Sequence, residues 1–181
     1  RHLLYILLKM SLKIGEIDLT KPRYDQSKYW GRVQHFFDVI DPITLFTSKK
    51  ELKRCLTLLD DYQHNFNNLP KNITKEDIYH AKKVKDAIIH PDTNEAIPLF
   101  LRWSSFVPCN IPMVLGMMIH AHSTPLTLFW QWCNQSYNVL VNYGNRNASL
   151  PMTNLQIATA YGSAVAVSLT TAYTLKTLFT K

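Results

Sequence analysis

Between Ser48 and Ile88 apolar positions recur every three or four residues, the period of one face of an α-helix. Leu52, Cys55, Leu56, Leu59, Tyr62 and Phe66 follow Ser48 and Glu51, whose S-x-x-E spacing is that of a capping box, so an amphipathic helix of about four turns is predicted. Thr74 and Asp77 offer a second cap, and Ile78, Ala81, Val84 and Ile88 mark a second helix beyond an Asn- and Pro-containing linker, Asn65 to Asn72. Together they predict a helical hairpin with one buried face. Upstream, Tyr29–Val39 has the pattern of a further amphipathic helix, and Asp41 before Pro42 is a cap with proline at the first helical position. That region holds Tyr24, Tyr29, Trp30, Phe36, Phe37 and Phe46, with His35 beside them. Such a strip suits either a packing lid or, with its arginines, a membrane interface.

After Pro98 the pattern changes from amphipathic to broadly apolar. Residues 99–119, LFLRWSSFVPCNIPMVLGMMI, form a first candidate membrane span, interrupted by Pro108 and Pro112 and by the amide of Asn110. Two prolines free backbone carbonyls, so a broken helix is expected; it would either line a solute path or be a kink absorbed by packing. Pro125 starts a third pattern over 125–143, an amphipathic helix that is either membrane-embedded or interfacial. Residues 157–179 form the second candidate span. There Ala158, Gly162 and Ala166 repeat at four, as do Ala160, Ala164, Ser168 and Ala172, the small-residue spacing that lets helices approach closely in lipid.

Charge sharpens this division. All 13 acidic residues lie at or before Glu95, and 17 of the 20 Lys and Arg lie at or before Arg102. Trp103 to Asn145 is a run of 43 residues without a formal charge, and Asn147 to Leu175 adds 29 more. Ordinary soluble domains are about one quarter charged, so the second half reads as membrane region, residues 98–181, and the first, 10–97, as a soluble basic helical region. The predicted fold class is all-α. A net charge of +7 raises nucleic acid as a partner, but no basic run is interleaved with aromatics and no zinc, RNP or KH signature occurs, so none is expected. Cys55, Cys109 and Cys133 are odd in number and widely spaced, which favours packing over a disulfide framework or a metal site. Residues 1–9 contain a short apolar run and precede Met10; they are set aside as a possible non-native upstream extension.

The candidate chemistry lies in the charge-free run from Trp103 to Asn145. Gln131, Asn134, Gln135, Asn138, Asn142 and Asn145 fall within about a 100° arc of a helix at 100° per residue. Phe129, Trp132, Val139, Val141 and Tyr143 are expected away from them. A carboxamide both donates and accepts without the cost of a buried charge, so these side chains, with Asn110, can replace the hydration of a zwitterion. The competing role is interhelical glue, at about 0.6 kcal/mol per hydrogen bond. His90, Pro91, Asp92 and Thr93 are read as a structural turn, with Asn94 able to take positive φ; His90 and Asp92 alone do not make a metal site, and neither do His120 and His122.

Three strings, PRYDQSKYWGRVQHFFDVIDP, HPDTNE and TPLTLFWQWCNQSYNVLVNYGNR, resemble the sideroflexins in order and spacing, over roughly Ile17 to Lys181. The resemblance implies a mitochondrial inner-membrane protein with an N-terminal soluble part and five membrane helices. It also implies transport of amino acids, notably serine import for one-carbon metabolism. Asn94 replaces the family's usual Gly, Leu101-Arg102-Trp103-Ser104 stands in place of Gly-Arg-Met-Ser, and the chain stops after what would be the second membrane helix.

Two functions are therefore expected to compete. One is a carrier of a neutral amino acid, whose partners are that small molecule and the bilayer; the other is a non-transporting scaffold that holds other inner-membrane proteins. No nucleophile with a neighbouring base, phosphate loop or complete metal set is legible, so neither an enzyme nor a cofactor is expected.

Overall fold

The computed structural model describes residues 17–64, 69–70, 72–147 and 152–179. The segment set aside at residues 1–9, Phe66 of the first predicted helix and Lys181 lie outside them. The described residues are helical, with six α-helices: α1 Tyr29–Val39, α2 Lys49–His64, α3 Lys75–Ile88, α4 Trp103–Ile119, α5 Thr124–Gly144 and α6 Asn154–Phe179. The chain divides into two compact units, residues 1–87 and 88–181.

In the first unit each predicted helix forms, and the caps explain where. Ser48 Oγ accepts from Glu51 N at 3.1 Å, and Asp41 accepts from Ile43 N at 3.0 Å to start a short 3₁₀ turn, Pro42–Phe46. The Ser48 box is only half made, because Glu51 turns its carboxylate to Arg54 at 2.6 and 2.9 Å. The Thr74 box is complete: Asp77 N donates to Thr74 Oγ1, and Thr74 N donates to Asp77 Oδ2. Cys55, Leu59, Ile78, Ala81 and Val84 of the expected apolar face are buried, Leu52, Leu56 and Tyr62 are half-buried, and Leu58, outside the expected set, is buried as well. Lys83 of α3 holds α1 and its following turn through Asp38 at 2.9 Å and Asp41 at 2.7 Å. Gly31 is required there, since a Cβ would stand 1.9 Å from the Asp25 carbonyl oxygen.

In the second unit α5 is the central element, packed against both α4 and α6. α4 runs unbroken through Pro108 and Pro112, which corrects the expectation of a broken helix. Its contact with α5 is close where Gly116 meets Trp130: a Cβ at Gly116 would lie 2.3 Å from the indole ring. Trp130 Nε1 donates to His120 Nδ1 at 3.1 Å, and Phe106 stacks on Tyr137, whose hydroxyl donates to the Phe100 carbonyl at 3.0 Å.

No helix among the described residues is long and apolar enough to cross a membrane. Residues 99–119 and 157–179, read above as candidate membrane spans, do not meet that measure. The first is divided into a 3₁₀ turn, Leu99–Leu101, and a 17-residue helix of about 25 Å, short of the roughly 30 Å of a bilayer core. α6 has the length at 26 residues, but Thr, Ser, Gln and Tyr dilute its apolar content.

Candidate functional site

The carboxamides of α5 serve two neighbouring helices. On the α4 side, Asn110 Nδ2 donates to the Phe106 carbonyl at 2.8 Å, Asn134 Nδ2 donates to Asn110 Oδ1 at 2.8 Å, and Asn138 Nδ2 donates to Asn134 Oδ1 at 3.2 Å. The order of the chain follows from its first link, because a carbonyl only accepts and so fixes which end of Asn110 faces it. Each amide then passes its donor one step back along the chain. The last acceptor, Asn138 Oδ1, is buried without a hydrogen-bond partner among the described residues. Leaving such an atom unsatisfied costs about 1–3 kcal/mol, which a donor placed beside it would recover.

On the α6 side, Gln131 and Gln135 both donate to Ser168 Oγ, the latter at 3.1 Å. These residues line a cleft of about 650 Å³ with Ser163, Ala164, Thr171 and Ala172. Tyr161 continues the seam, its hydroxyl accepting from Trp132 Nε1 at 2.8 Å and lying 2.9 Å from Ser136 Oγ. Lys176 Nζ reaches Thr127 Oγ1 at 3.4 Å at the other end. Of the two small-residue repeats, the one containing Ala164, Ser168 and Ala172 therefore faces α5. The other stays open, and among the described residues nothing lies within 4 Å of a Cβ built on Gly162.

Asn145 closes α5 by donating to the carbonyls of Leu101 at 2.7 Å and Val141 at 2.8 Å. Asn142 is exposed and stands apart from the network. Phe129, Trp132 and Tyr143 are exposed as a face away from the amides should be, whereas Val141 is fully buried. At about −80° on the Gln131 wheel it lies beside the amide arc, not opposite it.

The turn at His90–Asn94 seats beneath the end of α5. His90 Nε2 donates to the Arg146 carbonyl at 2.8 Å, while Nδ1 accepts from Asp92 N at 3.2 Å and Thr93 N at 3.4 Å. Both ring nitrogens are thereby engaged in the neutral imidazole. Asn94 has φ 55°, and His90 N and O bond Glu95 O and Asn94 N at 2.9 Å each.

Sequence reasoning missed three partners of the amides: Ser168 and the Phe106 and Leu101 carbonyls. Only the four-residue repeat containing Ser168 hinted at one. It also missed a convergence in the first unit, where donor atoms of Glu51, Cys55 and His80 lie within 4.8 Å of one another. Glu51 and Cys55 share a face at four residues' spacing, but His80 comes from another helix. Burial, with Glu51 beside it, raises the Cys55 thiol to about 11, and Arg54 holds both oxygens of Glu51.

Helical described residues, with an amide-sewn second unit whose α4 and α5 carry no formal charge, are the class these features define. The sequence model of the family described as Sideroflexins matches residues 18–181, and the chain belongs to that family. It is 42% identical over 163 residues to Sideroflexin-5 of Rattus norvegicus, covering 90% of this chain and 47% of that protein. Sideroflexin of Dictyostelium discoideum is 42% identical over 151 residues, 83% of this chain and 45% of that protein. Sideroflexin-3 of Homo sapiens is 39% identical over 163 residues, 90% and 50% respectively. The chain spans about half the length of the curated relatives it matches. No solved structure matches it.

Proposed function

We propose that this chain forms the amide-bearing half of a mitochondrial inner-membrane carrier for a neutral amino acid, with serine the foremost candidate. The observation that carries the reading is Asn138 Oδ1, a buried acceptor left over at the end of an ordered chain of carboxamides. An ammonium or a side-chain hydroxyl is the donor such an atom lacks, and a serine zwitterion offers both. The cleft beside Gln131 and Gln135 adds amide N–H and hydroxyl groups that suit a carboxylate. No fixed charge is needed for a solute of zero net charge. Membrane placement is part of the same proposal: in the bilayer, helices as polar as α5 and α6 are accommodated where neighbouring helices cover their amides.

The scaffold reading has its own support, because Gln131, Asn134, Gln135 and Asn145 all bond across to another element. Reconstituting the full-length protein in liposomes and following uptake of radiolabelled neutral amino acids separates the two. Saturable serine uptake supports the carrier. Correct insertion with no uptake of any neutral amino acid favours the scaffold.

A further inference from the structure

α1 and the turn after it sort their side chains by chemistry. At 100° per residue Tyr29, Trp30, Phe36 and Phe37 fall within an arc of about 120°. All four are more than half exposed, and Phe46 in the following 3₁₀ turn is 87% exposed. Gly31 and Asp38 lie roughly opposite the arc and turn inward, Gly31 against the Asp25 carbonyl and Asp38 onto Lys83, while Val33 within the arc is half-buried.

Of the carboxylates beside these rings, two are withdrawn and one, Asp25, is exposed. Asp38 and Asp41 both meet Lys83. Cations outnumber Asp25 on the flanks: Arg32 is exposed on α1 and donates to the Gln26 and Ser27 carbonyls, Lys28 precedes the helix and pairs with Asp25 at 3.8 Å, and Lys49 and Lys50 follow Phe46. Contiguous apolar surface of this kind is uncommon on a free protein and marks a partner.

We propose that this aromatic face docks on the surface of a phospholipid bilayer carrying anionic headgroups. Trp and Tyr rings sit at headgroup depth, with an apolar body toward the chains and a polar tip toward water, and the flanking cations complement the anionic surface. A protein partner would meet the same rings but would not require that Asp38 and Asp41 be turned away and cations be left in excess around them. The inference rests on the membrane placement proposed above and is independent of any transport activity.

The test uses the full chain in vesicles of phosphatidylcholine with an anionic phospholipid. Nitroxides are placed at Phe37→Cys and Phe46→Cys, with Gln63→Cys on α2 as control, in a background in which Cys55, Cys109 and Cys133 are replaced by Ala. Circular dichroism checks that each variant keeps its helices, and resistance to alkaline extraction reports insertion in the same sample. The expected result is collision with oxygen several-fold above collision with a water-soluble nickel chelate at 37 and 46, with the reverse at 63. That preference should fall in neutral vesicles or on charge reversal of Lys28, Arg32, Lys49 and Lys50. Free access of both reagents at 37 and 46, or exclusion of both by a protein cover, in a chain that resists extraction overturns the docking face. A chain that is extracted overturns the membrane placement as well as the docking face.

Discussion

Asn134 donates to Asn110 across 2.8 Å, and this amide pair is the point at which α4 and α5 share a hydrogen-bonded network inside their contact. It gives Asn138 a defined neighbour and a defined orientation, since Asn138 Nδ2 is taken by Asn134 Oδ1. If the pair orders the network, a double-mutant cycle of Asn110→Ala and Asn134→Ala should return a coupling of about 0.6 kcal/mol, with an upper bound near 1.7. Unfolding in detergent by a chemical denaturant measures it, and strict additivity would contradict the pairing.

The α4–α5 contact should also be intolerant of volume. Gly116→Val places atoms where the Trp130 indole already lies, so it should cost about 1–3 kcal/mol or more and reduce helix association. Gly162→Ala, which meets nothing within 4 Å, should be nearly silent. Equal losses for the two in a thermal-stability assay would refute the packing described.

The Lys83 clamp has a pH signature. Burial acts to raise the Asp41 carboxyl, but hydrogen bonds from Lys83 and Ile43 outweigh it and hold the group below its ordinary 3.8. Burial acts to lower Lys83, but Asp41 and Asp38 outweigh it and hold the ammonium above its ordinary 10.5. The Asp41 contribution is present above its unfolded value and is lost as pH falls through the depressed folded value. The Lys83 contribution is present below its unfolded value and is lost as pH rises through the elevated one. Lys83→Met should therefore destabilise the chain by roughly 1–3 kcal/mol, evenly between about pH 5 and 9, with the gap to wild type closing at both extremes. A gap that widens in acid or base would contradict the clamp.

Much of this was legible in the sequence, and the reasons are local. The cap residues Ser48, Thr74 and Asp41 with Pro42 act on backbone within three residues, so α2, α3 and the 3₁₀ turn start where expected. Asn94 tolerates φ 55° through its own side-chain chemistry. Distant partners were not legible. The helical wheel groups Gln135 with Asn138, yet one bonds Ser168 on α6 and the other Asn134 on its own helix. The prolines of α4 misled because packing against α5 keeps a helix whole that local chemistry alone would break.

Topology offers an independent check. α5 packs antiparallel to both its neighbours, so the turns on either side of it lie at opposite ends of the unit. If α5 traverses the bilayer, cysteines at His122 and Asn147 should react with a membrane-impermeant maleimide from opposite sides of reconstituted vesicles. Labelling of both from one side would place α5 along the interface.

The central claim rests on Asn138, whose Oδ1 is the acceptor proposed for solute. The deciding measurement is serine uptake per unit of correctly inserted full-length protein for Asn138→Leu, with Val139→Leu as control. The account predicts that Asn138→Leu abolishes specific uptake while insertion is unchanged or improved, because an apolar residue is cheaper in lipid, and that Val139→Leu is nearly silent. Normal specific uptake by inserted Asn138→Leu, or a loss of uptake that only tracks lower abundance, would contradict it.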